Sequence, residues 1–177
     1  MRVIAGRWGG RRLQAPPGEA TRPTSDRVRE ALFSILGDRV DGARVLDLFA
    51  GSGALGIEAL SRGAGHATFV DSAPAAIRSL RANLEALGAD AQVRRADARR
   101  FLGEASAGGR YYDLVFLDPP YRLAGRVGGE LAAVLPAVLA PGAVVVAESD
   151  RRAPLDLERP LIDERRYGDT LIRIHGP

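Results

Sequence analysis

The feature that most constrains this chain is an apolar run broken by one acid, followed at once by a glycine-rich turn and a helix-like stretch. Residues 45–49 (VLDLF) lead into AGSGALGIEAL, where Gly51, Gly53 and Gly56 satisfy G-x-G-x-x-G between a strand and a helix over 54–61. A strand buried on both faces reads as a run of apolar residues, and glycine lets the backbone turn tightly and admit a ligand at close range. The same alternation continues downstream. ATFVD (67–71) reads as a strand, and Ile77, Leu80, Leu84 and Leu87 mark one helix face that Gly88 stops. AQVRRAD (91–97) is a weaker strand and 98–104 a short helix; YDLVFLD (112–118) is the most strand-like segment. Leu131, Val134, Leu135, Val138 and Leu139 mark another helix, AVVVAES (143–149) a strand, and segments near 160–167 and 169–175 a terminal hairpin. Upstream, residues 2–14 read as a hairpin with Gly9-Gly10 at its tip, and 15–23 as an extended connector rich in proline. Thr24 or Ser25 caps a helix carrying Val28, Leu32, Ile35 and Leu36 and ending at Gly37. Strands alternating with helices predict an α/β fold with a doubly wound, mostly parallel, seven-stranded sheet. The expected division is an arm and connector over 1–23 and a single catalytic domain over 24–177.

In such a sheet, ligands bind outside the carboxyl ends of the strands. Asp47, Asp71, Asp97 and Asp118 all fall at or near those ends. Each alone fits a helix cap; four in succession read as the rim of a crevice. The glycine pattern by itself points first to a dinucleotide. Asp47, placed before the first glycine, would repel a pyrophosphate but help hold an ammonium group. A ligand with an amino acid at one end and a nucleoside at the other fits better, namely S-adenosylmethionine (SAM). Asp71 is expected to accept both ribose hydroxyls. Asp97 is expected either to accept from the adenine amine or to cap the helix after it.

Asp118-Pro119-Pro120-Tyr121 follows the most apolar strand, and two prolines fix φ twice and make the turn rigid. The lone pair of an exocyclic base amine is delocalised into the ring and is a poor nucleophile. The Asp118 carboxylate and the Pro119 carbonyl can each accept one of its N–H bonds, which frees that lone pair. Tyr121 can stack on the ring and align the amine with a methyl–sulfonium bond.

Composition agrees with chemistry of this kind. The chain has no Cys, and all 25 cationic side chains are Arg. Thiolate metal sites, Cys nucleophiles and Schiff-base lysines are therefore excluded, and with only His66 and His175 no metal site is expected. Both histidines read as ordinary surface or strand residues. The net charge of +3 is unevenly spread: residues 1–30 carry +4 and the other 147 carry −1. A basic arm on a near-neutral body is the footprint of a phosphate-backbone partner. The longest uncharged run, Leu131 to Ala147, is too short and too broken by proline and glycine to span a membrane. No signal peptide is read at the N-terminus, so a cytoplasmic location is expected.

VLDLFAGSGALGIEALSRGA with DPPY resembles class I SAM-dependent methyltransferases that act on amino nitrogens. RVIAGRWGGRRL, TRPTSDRVREALFSIL and the terminal RRYGDTLIRI further resemble the RsmD family of bacterial 16S rRNA guanine-N2 methyltransferases, over essentially the whole chain and in the same order. The resemblance implies methylation of N2 on one 16S rRNA guanine, position 966 in the usual bacterial numbering, in an assembling small subunit. It implies Asp118, Pro119, Pro120 and Tyr121 at the amine. Around SAM it implies Asp47, Phe49, Ala50, Gly51, Ser52, Gly53, Asp71, Ser72, Asp97 and Ala98, with Thr24 and Arg27 closing from the TSDRVRE segment. Ser72 departs mildly from the pattern, because related enzymes often keep a further polar or charged residue there. Arg2, Arg7, Arg11, Arg12, Arg22 and Arg29 are expected to meet rRNA. Trp8 is expected either to stack on the RNA or to pin the arm to the body. A monomer is expected. The rivals are a DNA amino-methyltransferase, a nicotinamide-dependent oxidoreductase, which Asp47 and DPPY disfavour, and a non-catalytic rRNA-binding assembly factor.

Overall fold

The computed structural model describes residues 1–17 and 25–177, with 121–127 described by their backbone alone. Seven strands form one sheet: β1 (Arg44–Leu48), β2 (His66–Asp71), β3 (Gln92–Arg95), β4 (Tyr112–Leu117), β5 (Leu139–Asp150), β6 (Leu161–Tyr167) and β7 (Thr170–His175). Their order is β3-β2-β1-β4-β5-β7-β6, with β7 antiparallel to both of its neighbours and every other pair parallel. Among the described residues five α-helices accompany them: α1 (Asp26–Leu36), α2 (Ala54–Ser61), α3 (Pro74–Leu87), α4 (Ala98–Ala107) and α5 (Tyr121–Val134).

Strand residues alternate between two cores, which is why the central strands are apolar throughout. Val45, Leu114, Phe116, Val144 and Val146 pack on one face with Leu32 and Phe33 of α1, Ile57 of α2 and Leu80 of α3. Leu46, Leu48, Val115, Leu117 and Val145 pack on the other face with Phe101 and Leu102 of α4 and Leu131 of α5. The sheet is thus covered on both sides, as the alternation predicts. Ser25, rather than Thr24, caps α1: its side chain accepts from the Val28 N–H. Thr24 and Arg22 lie outside the described residues.

Three local expectations need correction. The segment 2–14 forms no pair of strands. It makes a single antiparallel bridge, Arg2 to Arg12, around a 3-10 turn at Gly6–Trp8. The two stretches do pair through the Val3 N–H to the Arg11 carbonyl, the Leu13 N–H to the Met1 carbonyl and the Gly10 N–H to the Val3 carbonyl, but the backbone of Ile4, Ala5 and Trp8 bonds to side chains of α2 instead, which keeps the pairing to that one bridge. α4 runs three residues beyond the expected 104, to Ala107. β5 begins four residues before the expected start, at Leu139, the residue expected to close the preceding helix.

Candidate active site

β1 and β4 are adjacent and parallel, with Leu48 paired to Leu117 in register. From β1 the chain steps outward to β2 and β3, while β4 and β5 lie on the opposite side, so the order reverses between β1 and β4. That reversal opens the crevice in which an α/β sheet holds its ligand. The glycine loop leaves Leu48 and DPPY leaves Leu117, so both motifs emerge side by side at this point. β2 ends one residue past the Val70 that pairs with Leu48, which sets Asp71 on the same rim.

The loop is wound in an unusual conformation. Phe49, Gly51 and Gly53 all have left-handed φ, at 64°, 54° and 83°. For glycine this costs little, but for a bulky residue such as Phe49 it is an outlier of the kind that collects at ligand sites. The three glycines have different jobs. A Cβ at Gly51 would meet nothing within 4 Å, so its backbone faces open space. A Cβ at Gly53 would run into Leu80, and one at Gly56 into Phe69. Gly51 leaves the backbone bare, Gly53 makes room for Leu80 of α3, and Gly56 lets α2 sit close on β2 of the sheet. Ala50 is buried and its N–H donates to the Val70 carbonyl, 3.0 Å away.

The acids are occupied more fully than sequence alone conveys. Asp47 is buried, and its Oδ2 accepts from the Gly56 N–H at 2.9 Å. Burial pushes its carboxyl up to about 8, with the charge of Asp71 adding to the rise and the Gly56 bond opposing it. Asp71 accepts from the Gly51 N–H at 2.9 Å through Oδ2 and from the Ala73 N–H at 2.8 Å through Oδ1, so it also fixes the loop. Ser72 beside it is exposed. Asp97 caps α4, its Oδ1 accepting from the Arg99 and Arg100 N–H groups, and Ala98 is buried behind it. Asp118 is half-buried one residue past β4, Pro119 is buried, and Pro120 caps α5 with φ −51°. Tyr121 is the first residue of α5.

The arm is not a free appendage. Val3, Trp8 and Leu13 belong to the core that α1, α2 and α3 share. Trp8 is only 9% exposed and its N–H donates to Ser61 Oγ, so it pins the arm and is closed to base stacking. Arg29 is also corrected. It is fully buried, with Nη2 donating to Asp26 Oδ1 and to the Arg2 carbonyl, and is shielded from any phosphate. Arg2, Arg7, Arg11, Arg12 and Arg27 are exposed. Arg2 pairs with Asp26, and Arg11 donates to the Ala86 carbonyl. Among the described residues Arg7 and Arg12 pair with no acid; Arg7 lies over the Trp8 ring.

Three buried polar residues had no place in the sequence reading. Glu58 accepts from the Ile4 and Ala5 N–H groups, Ser61 Oγ accepts from Trp8 and donates to the Ala5 carbonyl, and Asn83 bonds to Gln14 and to the Ser52 carbonyl. The one available signal was Glu58, a lone charge in a helix otherwise apolar all round.

Together, the switch-point crevice, the bare glycine backbone and the rim of carboxylates fit a ligand with a nucleoside end and an ammonium end, and define a class I SAM-dependent methyltransferase. The family model described as Conserved hypothetical protein 95 matches residues 1–176, and the chain belongs to this family, the RsmD family. Ribosomal RNA small subunit methyltransferase D of Haemophilus influenzae is 36% identical over 182 residues, covering 99% of this chain and 93% of that protein. The Escherichia coli K12 protein of the same name is 46% identical over 123 residues, covering 69% of this chain and 61% of its own length. Among solved structures, a hypothetical protein of Thermus thermophilus superposes with a TM-score of 0.86 at 34% identity over 99% of this chain and 98% of that one. The T. thermophilus 16S rRNA N2 G1207 methyltransferase RsmC, in complex with AdoMet and guanosine, superposes at 0.72 with 27% identity, over 92% of this chain and 45% of that one.

Proposed function

We propose that this protein transfers a methyl group from SAM to the exocyclic N2 of a guanine in 16S rRNA, position 966 in the usual bacterial numbering, during assembly of the small subunit. The observation that carries the reading is the departure of the glycine loop and DPPY from register-paired residues of adjacent parallel strands. A methyl donor on one motif and an amine on the other are thereby brought together at the switch point. The relatives' names support rRNA as the substrate, and RsmC supports guanine N2 as the class of atom.

When bound, SAM supplies an electrophilic methyl group. The protein's part is to hold and orient. Gly51 presents bare backbone to the cofactor, Asp71 takes the ribose hydroxyls beside its loop bonds, and Asp47 faces the ammonium. Phe49, Ala50, Ser52, Gly53, Ser72, Asp97 and Ala98 complete that wall, with Thr24 and Arg27 closing over it. Asp118 and the Pro119 carbonyl accept the two N–H bonds of the amine, Pro120 stiffens the turn, and Tyr121 stacks on the base. Arg7 and Arg12, with Arg2, Arg11 and Arg22, contact rRNA phosphates. The enzyme works as a cytoplasmic monomer on a particle whose bound ribosomal proteins shape the target.

The test is methyl transfer from labelled SAM to small-subunit particles from a strain lacking the modification, with the product nucleosides identified by mass. Stoichiometric N2-methylguanosine is expected. SAM binding without any methylated guanosine would overturn the substrate and leave the class.

A further inference from the structure

The polar residues that fasten the arm do not all fasten it to inert scaffold. The buried Asn83 side chain makes three bonds. Its Oδ1 accepts from the Gln14 N–H at 2.8 Å, and its Nδ2 donates to the Gln14 carbonyl at 3.0 Å and to the Ser52 carbonyl at 2.9 Å. Ser52 lies between Gly51 and Gly53, the two left-handed glycines of the cofactor loop. Met1 Sδ also lies 3.6 Å from Ser52 Oγ. The loop is therefore braced from two sides: by Asp71 from β2, through the Gly51 N–H, and by Asn83 from α3. The second brace is shared with the arm. Cutting the arm's end of it would leave Asn83 with one bond of three, in a buried place where an unmet amide is costly.

Further along, the arm is clamped to α2. The Glu58 carboxylate takes two of its N–H groups, and Ser61 bonds to Trp8 and Ala5. Gly6 lies so close to the Ser61 carbonyl that a Cβ would overlap it, and its φ of +79° also demands glycine. The arm thus holds the cofactor loop on its inner side and presents Arg7 and Arg12 on its outer side.

We propose that Asn83 is a positioning residue for the cofactor site, and that through it the docked arm and the SAM loop form one coupled unit. Phosphate binding on the outside of the arm then tightens SAM binding on the inside, and SAM strengthens the hold on RNA by the same factor. The inference rests on the SAM assignment and deepens it.

Three measurements decide it. First, in the unaltered protein, saturating S-adenosylhomocysteine should slow hydrogen exchange at the Gln14, Ile4 and Ala5 amides; unchanged exchange overturns the coupling. Second, Asn83→Ala should raise the calorimetric Kd and the KM for SAM about tenfold, with kcat at saturating SAM within about twofold. A purely structural Asn83 would lower the active fraction, and hence apparent kcat, without moving KM. Third, Gly6→Ala displaces the arm without touching Asn83 or the loop. It should weaken SAM binding too, and an unchanged Kd in a variant shown to have lost its arm contacts overturns the proposal. Should Gly6→Ala fail to fold, the exchange experiment on the unaltered protein decides. Absence of SAM binding to the unaltered protein would strike the cofactor assignment itself.

Discussion

Asp47 shows how one side chain can work against the fold that holds it. Its carboxyl is pushed up to about 8 in the folded protein, against an ordinary value of 3.8. The folded state therefore holds this proton more tightly than the unfolded chain does. The stabilising contribution is complete below about pH 4 and is lost as pH rises toward 8. Asp47→Asn keeps an oxygen for the Gly56 N–H and removes the titration. The variant should melt higher than the unaltered protein at pH 8, with the difference shrinking at pH 5; equal melting temperatures at both would refute this. Asp118 sits at the other motif. Asp118→Ala should lower methyl transfer by about 100-fold or more while SAM affinity by calorimetry stays within error. At this scale the sequence conveyed which acids line the rim but not how they are engaged. Asp71 and Asp47 bond to amides of the glycine loop, and those partners exist only once the loop has wound through three left-handed residues.

Helices and strands were the most legible level, because burial on two faces writes itself into the sequence as apolar runs and helical periodicity. α2 was read to the residue. Two of the failures share one cause: local pattern cannot see bonds to distant residues. The expected N-terminal hairpin is cut down to a single bridge because Glu58 and Ser61, more than 50 positions away, take up the backbone N–H groups of Ile4, Ala5 and Trp8. Arg29 follows a run of apparently solvent-facing charges, yet it is buried because the Arg2 carbonyl and Asp26 meet its guanidinium. At Asp97 the cap is present, which supports a prediction separable from any role at adenine. Asp97→Ala should cost roughly 1 kcal/mol by denaturant melts, the usual worth of such a cap. Loss of SAM affinity beyond that expected from a frayed α4, restored by Asp97→Asn, would identify the adenine contact as well.

Charge is the property of the whole molecule that sets its dealings with RNA. With Trp8 and Arg29 withdrawn from the interface, the exposed arm arginines remain, and among the described residues Arg7 and Arg12 carry the least compensated charge. Neutralising each to Gln should reduce the salt slope of RNA binding by about 0.7 per phosphate contact on single-stranded RNA. A slope that did not move would shift the phosphate track elsewhere on the surface. No described helix is long and apolar enough to cross a membrane.

The position of β7 carries a consequence for how the chain is made. The last strand in sequence lies inside the sheet, with β5 on one side and β6 on the other. On the ribosome, β6 is synthesised first and waits without a neighbour, and β5 keeps a bare flank, until Thr170–His175 have cleared the exit tunnel. A nascent chain stalled short of those residues exposes an open strand edge, the kind of surface that recruits chaperones and proteases. A stop codon just upstream of residue 170 should therefore yield an aggregation-prone product rather than a trimmed enzyme.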